Sequence, residues 1–460
     1  MELLELMNDA HGRAHRYAAT LDERSVMPSA EALAALEEFH EPLPEGSCDA
    51  GQVLAMLDRL GSPATVATTG GRFFGFVVGG ALPVTVAASW LAAAWDQNAG
   101  TWILAPVAAE LEDVAAKWLL DILALPSDAA VGFVTGSTMG TFSSITAARS
   151  ALLRKLGWNV KKRGLNGAPR LRIVASEEIH PTNLATLGYA GFGLDDVETC
   201  PTDEQGRVIP ELLPKLDDHT IVLLQAGNIN SGSFDPFEPI CKKAKEAGAW
   251  VHIDGAFGLW ARALPDADRL TMGAELADSW TVDGHKWLNL PQDSAVFICT
   301  DQEAVSDVFG VEATYLVRNP HRQPNTFTPE LSRRARGVEF WAALKNLGRD
   351  GVADLIARSC AHAQRFAEGL LAAGYEVLND VVLNQVVFAC ADEKKTEAAL
   401  TKIQESGVTW LGPTHWKGRL AMRISVSSWA TTPRDVERSL EVMAAANQSQ
   451  EVRGAEAFAK

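Results

Sequence analysis

Six short apolar runs recur between residues 130 and 300: AVGFVT (130–135), LRIVAS (171–176), TIVLLQA (220–226), WVHID (250–254), WTVD (280–283) and AVFICT (295–300). They read as apolar throughout rather than as alternating, which is the pattern of strands buried on both faces. Segments with helical spacing, such as TFSSITAARSALLRKLG (141–157) and PFEPICKKAKEAG (236–248), separate several of them. Strands that alternate with helices favour a mostly parallel sheet covered on both sides. The expected fold class is α/β, with the large domain spanning about 71–340.

Residues 1–70 read as helices, with Ser29 as a cap candidate before AEALAALEEF and Gly61 ending GQVLAMLDRLG. These helices carry apolar faces without a core of their own, so they are expected to pack on the rest of the chain or on a second subunit. Residues 338–374 form a long helical stretch broken near Gly348 to Gly351. The strands NQVVFAC (384–390) and LAMRISVS (420–427) and a helix over 434–448 come next. That is a smaller α+β domain over 341–448, and residues 449–460 are expected to be a flexible tail.

The net charge of −17 repels phosphate backbones, so nucleic acid is not an expected partner. The six cysteines form no CxxC pair, and most lie in apolar surroundings. They are expected to be free thiols in a reducing compartment rather than disulfides or metal ligands. The first residues lack the basic and apolar regions of a signal peptide. The longest apolar run, 81–95, is shorter than the roughly 20 residues that span a bilayer. The chain reads as cytoplasmic, without a membrane partner.

In open parallel sheets, ligands collect at the carboxyl ends of the strands. Four polar clusters fall there. Gly136, Ser137 and Thr138 follow the first strand and precede a helix, where free N–H groups and the helix dipole suit a phosphate. The turn is neither GxGxxG nor a GK[ST] loop, which weighs against a dinucleotide or a nucleoside triphosphate. His180 lies just past LRIVAS. Asp254 ends an apolar strand, where a lone carboxylate is costly to bury without a cation. Lys286, beside His285, sits between two core strands among Trp287, Leu288 and Leu290. Taken singly, the turn is also an ordinary helix cap, His180 a loop histidine and Asp254 a cap for the next helix.

Spacing joins them. Asp254 precedes Lys286 by 32 residues, the length of one βαβ crossover, so both reach the same sheet edge. A phosphate cradle, a buried carboxylate and a lysine in an apolar setting meet the needs of pyridoxal 5′-phosphate: the lysine bonds the aldehyde, and the carboxylate pairs with the ring nitrogen. His180 is a candidate to stack on the ring, and Ala256 is small enough to lie under its other face.

The segment DGHKWLNLPQDSA (283–295) resembles the "PHKW…DCSA" segment of the group II pyridoxal-dependent amino acid decarboxylases, which act on aromatic amino acids, histidine, glutamate or cysteine sulfinate. RFFGFVVGG (72–80), APVAAELEDVAAKWLLDIL (105–123), TGSTMGT (135–141), GSFDPFEPI (232–240), WVHIDGA (250–256) and LAMRISVS (420–427) resemble family segments in family order, over roughly residues 65–440. The resemblance implies an aspartate-aminotransferase-like fold of type I, a homodimer, and decarboxylation of an L-amino acid to its amine. It implies that Lys286 forms the Schiff base, Asp254 meets the ring nitrogen, and His180 stacks on the pyridine and meets the substrate carboxylate. Gly136, Ser137, Thr138 and His285 would hold the phosphate. Tyr315, in EATYLVRN, would protonate the substrate carbon after CO2 leaves, and Arg423 matches an arginine of the last strands. Phe76 and Asn98, within RFFGFVVGG and WDQNAGTW, fall on substrate-facing stretches.

The chain departs from the family in three places. Asp283-Gly284 replaces the Asn-Pro of many members, Asn228-Ile229 the Thr-Thr pair of the aromatic enzymes, and Phe76 the glutamine of the glutamate-type enzymes, where aromatic members carry an aromatic, although WDQNAGTW resembles the polar stretch of the glutamate-type enzymes. An aldehyde synthase, a lyase or an aminotransferase on the same fold is the alternative activity, and a catalytically inactive homologue the alternative of another class.

Overall fold

The computed structural model describes residues 2–311 and 320–457. Seven strands form the large sheet: β1 (Ala130–Val134), β2 (Arg172–Ser176), β3 (Val197–Cys200), β4 (Thr220–Gln225), β5 (Trp250–Asp254), β6 (Ser279–Asp283) and β7 (Ala295–Cys299). Their order is β1-β7-β6-β5-β4-β2-β3. Strands β3, β2, β4, β5 and β6 run parallel, and β7 is antiparallel to both its neighbours, β6 and β1. The carboxyl ends of β1, β2, β4, β5 and β6 therefore share one edge. All six runs read from the sequence are strands. The short β3, half polar as VETC, lacks the apolar signature that would reveal it.

One face of the sheet packs on the Pro106–Ile122 helix and the start of the Gly337–Ala372 helix through Leu119, Ile253, Trp280, Val282 and Phe340. The other packs on the Ser137–Lys155, Pro181–Tyr189 and Gln302–Phe309 helices through Ile145, Leu152, Leu187 and Val305. The expectation of strands apolar on both faces needs correcting for β5 and β6. On the second face, alternate residues are polar: His252 and Asp254, then Ser279, Thr281 and Asp283. Opposite them, the 137–155 helix presents Gly140, where a Cβ would lie 2.6 Å from Thr281 Cγ2. A polar layer is thus buried behind the strand ends.

The smaller domain has a four-stranded antiparallel sheet of β8 (Glu376–Val377), β9 (Gln385–Ala389), β10 (Gly412–Trp416) and β11 (Arg419–Ser425), in the order β10-β11-β9-β8. The Gly337–Ala372 helix bends at Gly348 (φ 60°), within the break read from the sequence, and so serves both cores. The closing helix runs Pro433–Ala457, past residue 448 where the sequence placed its end. Residues 72–76 also depart from the expected domain limits. Phe73 bridges Trp410, the Phe74 N–H donates to the Trp410 carbonyl, and the Ser425 N–H donates to the Phe74 carbonyl. This stretch is therefore tied to the smaller domain. Further on, Gly79 approaches the large one: a Cβ there would lie 1.9 Å from the carbonyl oxygen of Lys286.

The N-terminal helices lie outside both cores. The Leu3–Ala19 helix buries no residue, and Leu3, Leu4 and Met7 are exposed. The Pro83–Trp95 helix exposes Val86, Trp90, Leu91 and Trp95. No helix among the described residues is long and apolar enough to cross a membrane.

Candidate active site

The strand ends at the shared edge deliver the side chains. Lys286 lies in the turn after β6, Asp254 ends β5, Gln225 ends β4, and His180 follows β2. One cleft is lined by Ser137, His180, Asp254, Ala256, Ile229 and Lys286, among others. Candidates far apart in the sequence thus meet around a single lysine.

Gly136 caps the 137–155 helix and Ser137 opens it. The helix begins four residues before the expected start at 141, so Ser137 and Thr138 present first-turn N–H groups, which have no acceptor inside a helix. A Cβ on Gly136 would lie 3.5 Å from His285 Cε1, which sets the phosphate-type turn beside His285. Thr138 is exposed and does not line the cleft.

His180 caps the 181–189 helix, and Pro181 at the first helical position fixes its start. The backbone N–H of His180 donates to Gln225 Oε1 (3.0 Å), and Gln225 Nε2 donates to the Glu178 carbonyl (3.1 Å). The Thr182 N–H donates to His180 Nδ1, and Thr182 Oγ1 lies 2.7 Å from the same nitrogen. With Nδ1 an acceptor, the neutral ring carries its proton on Nε2. Burial pushes the imidazole below its ordinary value, with Asp254 pulling the other way and Lys286 and Arg423 adding to the depression.

Asp254 is held from two sides. Asn183 Nδ2 donates to Oδ2 (2.7 Å) and the Ala256 N–H to Oδ1 (3.1 Å). Behind it, His252 is fully buried, its Nδ1 3.0 Å from Ser279 Oγ, which also accepts from Trp250 Nε1–H. Burial lowers the His252 pKa to about 4, opposed by the charge of Asp254. Asp283 is fully buried, and its Oδ2 lies 2.8 Å from Lys286 Nζ.

Ile229 forms a wall of the cleft, whereas Asn228 accepts the N–H groups of Asn230 and Ser231 in its own turn. Arg423, on β11, donates to the carbonyls of Ile229 (2.9 Å) and Phe76 (3.3 Å), which ties the smaller domain to the rim. Burial lowers its pKa to about 10. Phe76 is 65% exposed at φ 54° and stacks on Trp410, 5.9 Å between ring centres. Asn98 is not brought to Lys286. It donates to Ser332 Oγ and accepts the N–H of Arg333, away from the cleft. Tyr315 lies outside the described residues.

The residues present fit pyridoxal 5′-phosphate. An amine, a carboxylate, an imidazole and a helix N-terminus face one cleft, and the small Ala256 leaves space beside Asp254. Sequence reasoning missed Gln225, Thr182 and Asn183, which orient His180 and Asp254. Asn183 carried a signal, since it stands three residues after His180 at the start of a helix.

The family model for the pyridoxal-dependent decarboxylase conserved domain matches residues 62–391. An aromatic-L-amino-acid decarboxylase of Drosophila lebanonensis is 27% identical, over 76% of this chain and 92% of that protein. An L-2,4-diaminobutyrate decarboxylase of Rhizobium meliloti (strain 1021) is 28% identical over 90% and 86%. Among solved structures, Oryza sativa TDC with PLP and tryptamine superposes with a TM-score of 0.89 at 20% identity, covering 97% of this chain and 98% of that one. Mouse CSAD gives 0.88 at 20% identity, with the same coverage.

Proposed function

The chain belongs to the pyridoxal-dependent decarboxylase family, and from that premise we propose that it removes the α-carboxyl group of an L-amino acid as CO2 and releases the amine, with Lys286 bonding the cofactor aldehyde. The enzyme is a carboxy-lyase dependent on pyridoxal 5′-phosphate. The observation that carries the reading is the meeting of Lys286, Asp254, His180 and Ser137 in one cleft. When bound, the cofactor supplies an electron sink for the electron pair left as CO2 departs.

Each residue has a task its surroundings support. Asp254, fixed by Asn183 and the Ala256 N–H, holds a proton on the ring nitrogen. His180, neutral and anchored by Gln225 and Thr182, packs on the ring with its Nε2–H free to meet the substrate carboxylate. The first-turn N–H groups from Gly136 to Thr138, with His285, hold the phosphate. Arg423 and Phe76 frame the substrate end of the cleft. Tyr315, by resemblance, donates the proton that replaces the carboxyl group. A substrate role for Asn98 requires the cleft of a second copy. The exposed apolar side chains of residues 1–107 support a homodimer, since so many large apolar groups on one region mark an interaction surface.

The relatives act, by their names, on aromatic, acidic and diamino substrates. The test is a screen for amine products over the standard amino acids, cysteine sulfinate and 2,4-diaminobutyrate. One substrate giving amine and CO2 in equal amounts is expected, and Lys286→Ala should abolish it. Stoichiometric oxygen uptake with release of an aldehyde would instead make the enzyme an aldehyde synthase.

A further inference from the structure

Asp283 ends β6 with its carboxylate fully buried. Its main chain is fixed: the N–H donates to the Ala256 carbonyl (2.9 Å), and its own carbonyl accepts from Trp260 Nε1–H (3.0 Å). Neither carboxylate oxygen receives a hydrogen bond among the described residues. The 2.8 Å approach of Lys286 Nζ to Oδ2 therefore lies off the hydrogen-bonding direction and is a contact of charges. His285 Nε2 stands 3.7 Å from the same oxygen, too far to bond. His285 Nδ1 accepts the Ser294 N–H, so the neutral ring turns its Nε2–H toward Asp283.

A buried carboxylate without donors is stable only beside a cation. The nearest here is the lysine that the cofactor needs. The lysine side chain is also partly open to the cleft, so it can leave the carboxylate, which cannot follow it. We propose that Asp283 is a positioning residue for Lys286: its carboxylate holds the lysine nitrogen by charge alone, and an aldehyde is taken up at Lys286 only as that pair loosens. The proposal rests on Lys286 being the residue that takes the aldehyde.

The cofactor-free protein and its Asp283→Asn variant are mixed with pyridoxal 5′-phosphate and, separately, with pyridoxal, which lacks the phosphate. Absorbance near 420 nm tracks uptake. Asparagine keeps the shape and removes the charge, so uptake of both aldehydes should quicken by about tenfold, the effect of a modest change in charge stabilisation. An unchanged or slower rate overturns the proposal. Acceleration with pyridoxal 5′-phosphate alone overturns it too, since Asp283 would then merely repel the phosphate. A second comparison needs no aldehyde. Lys286→Met should lower the melting temperature of the cofactor-free protein, and adding Asp283→Asn to it should restore the loss. A Lys286→Met protein as stable as the wild type sinks the ion pair, whether or not the single asparagine variant folds. Borohydride fixation of the aldehyde at a different lysine would refute the Lys286 assignment, while the melting comparison still reads the pair.

Discussion

At the scale of single residues, the site depends on charges set by burial. His252 lies behind Asp254 with no exposed surface, and burial lowers its pKa to about 4 from an ordinary 6.5. An unfolded histidine takes up a proton below about 6.5, whereas this one resists until about 4. Its contribution to stability is thus full above about pH 6.5 and is lost as pH falls toward 4. Asp235 and Asp278, both raised to about 6 by burial, run the other way and lose stability as pH rises from about 4 to about 6. The informative measurement is therefore a difference. His252→Gln should flatten the fall in melting temperature from pH 7 to pH 5 relative to the wild type, and parallel curves would remove His252 as a source of acid sensitivity. For Tyr315→Phe, amine formation should drop about 10²-fold, the scale for a lost general acid. Aldehyde, ammonia and peroxide should appear under air but not under nitrogen. An unchanged rate of amine formation excludes Tyr315 as the proton donor.

At the scale of elements, the lysine turn is set by the close approach of a backbone segment. Gly79 brings the 72–80 segment onto the turn that carries Lys286, and the atom in the way of a Cβ is a backbone oxygen at 1.9 Å. A side-chain end could swing aside, but this carbonyl belongs to the lysine itself. Gly79→Ala should therefore shift the lysine turn and lower cofactor occupancy, measured as absorbance near 420 nm per subunit, with most of the helical circular dichroism retained. Full occupancy in the variant would show that the segment yields instead. The sequence marked RFFGFVVGG by its resemblance, yet nothing in it told that residues 72–76 are tied to Trp410 and Ser425 while Gly79 seats on the other domain. That knowledge needs the pairing partners, which lie near the opposite end of the chain.

At the scale of the whole molecule, the apolar surface decides. Trp90, Leu91, Trp95, Ile103 and Leu104 are all at least 43% exposed, far from the sparse apolar surface of an ordinary monomer. The protein should sediment as a homodimer at assay concentrations. Removing residues 1–65 should give aggregated protein, because the first helix covers part of this surface, its His11 ring lying 5.6 Å from that of Trp90. A fully active monomer would refute the dimer.

The strands, and the residues at their ends, are legible in the chain alone. Apolar runs flanked by helical segments specify β1, β2 and β4 to β7, and the order of elements places Gly136, His180, Asp254 and Lys286 at one edge, because parallel strands all end on the same side. The sequence could not supply β3 and β10, whose polar residues hide them, the two-residue β8, or the side-chain partners of the site. Gln225, Thr182 and Asn183 hold His180 and Asp254 through hydrogen bonds whose donors and acceptors converge only after β2, β4 and β5 have paired. Asp283 shows the same division. Read along the chain it is an anion near an expected phosphate. In the folded molecule it is fully buried with Lys286 Nζ 2.8 Å away, because the strand end and the lysine turn are set against each other only once β6 has paired with β5 and β7.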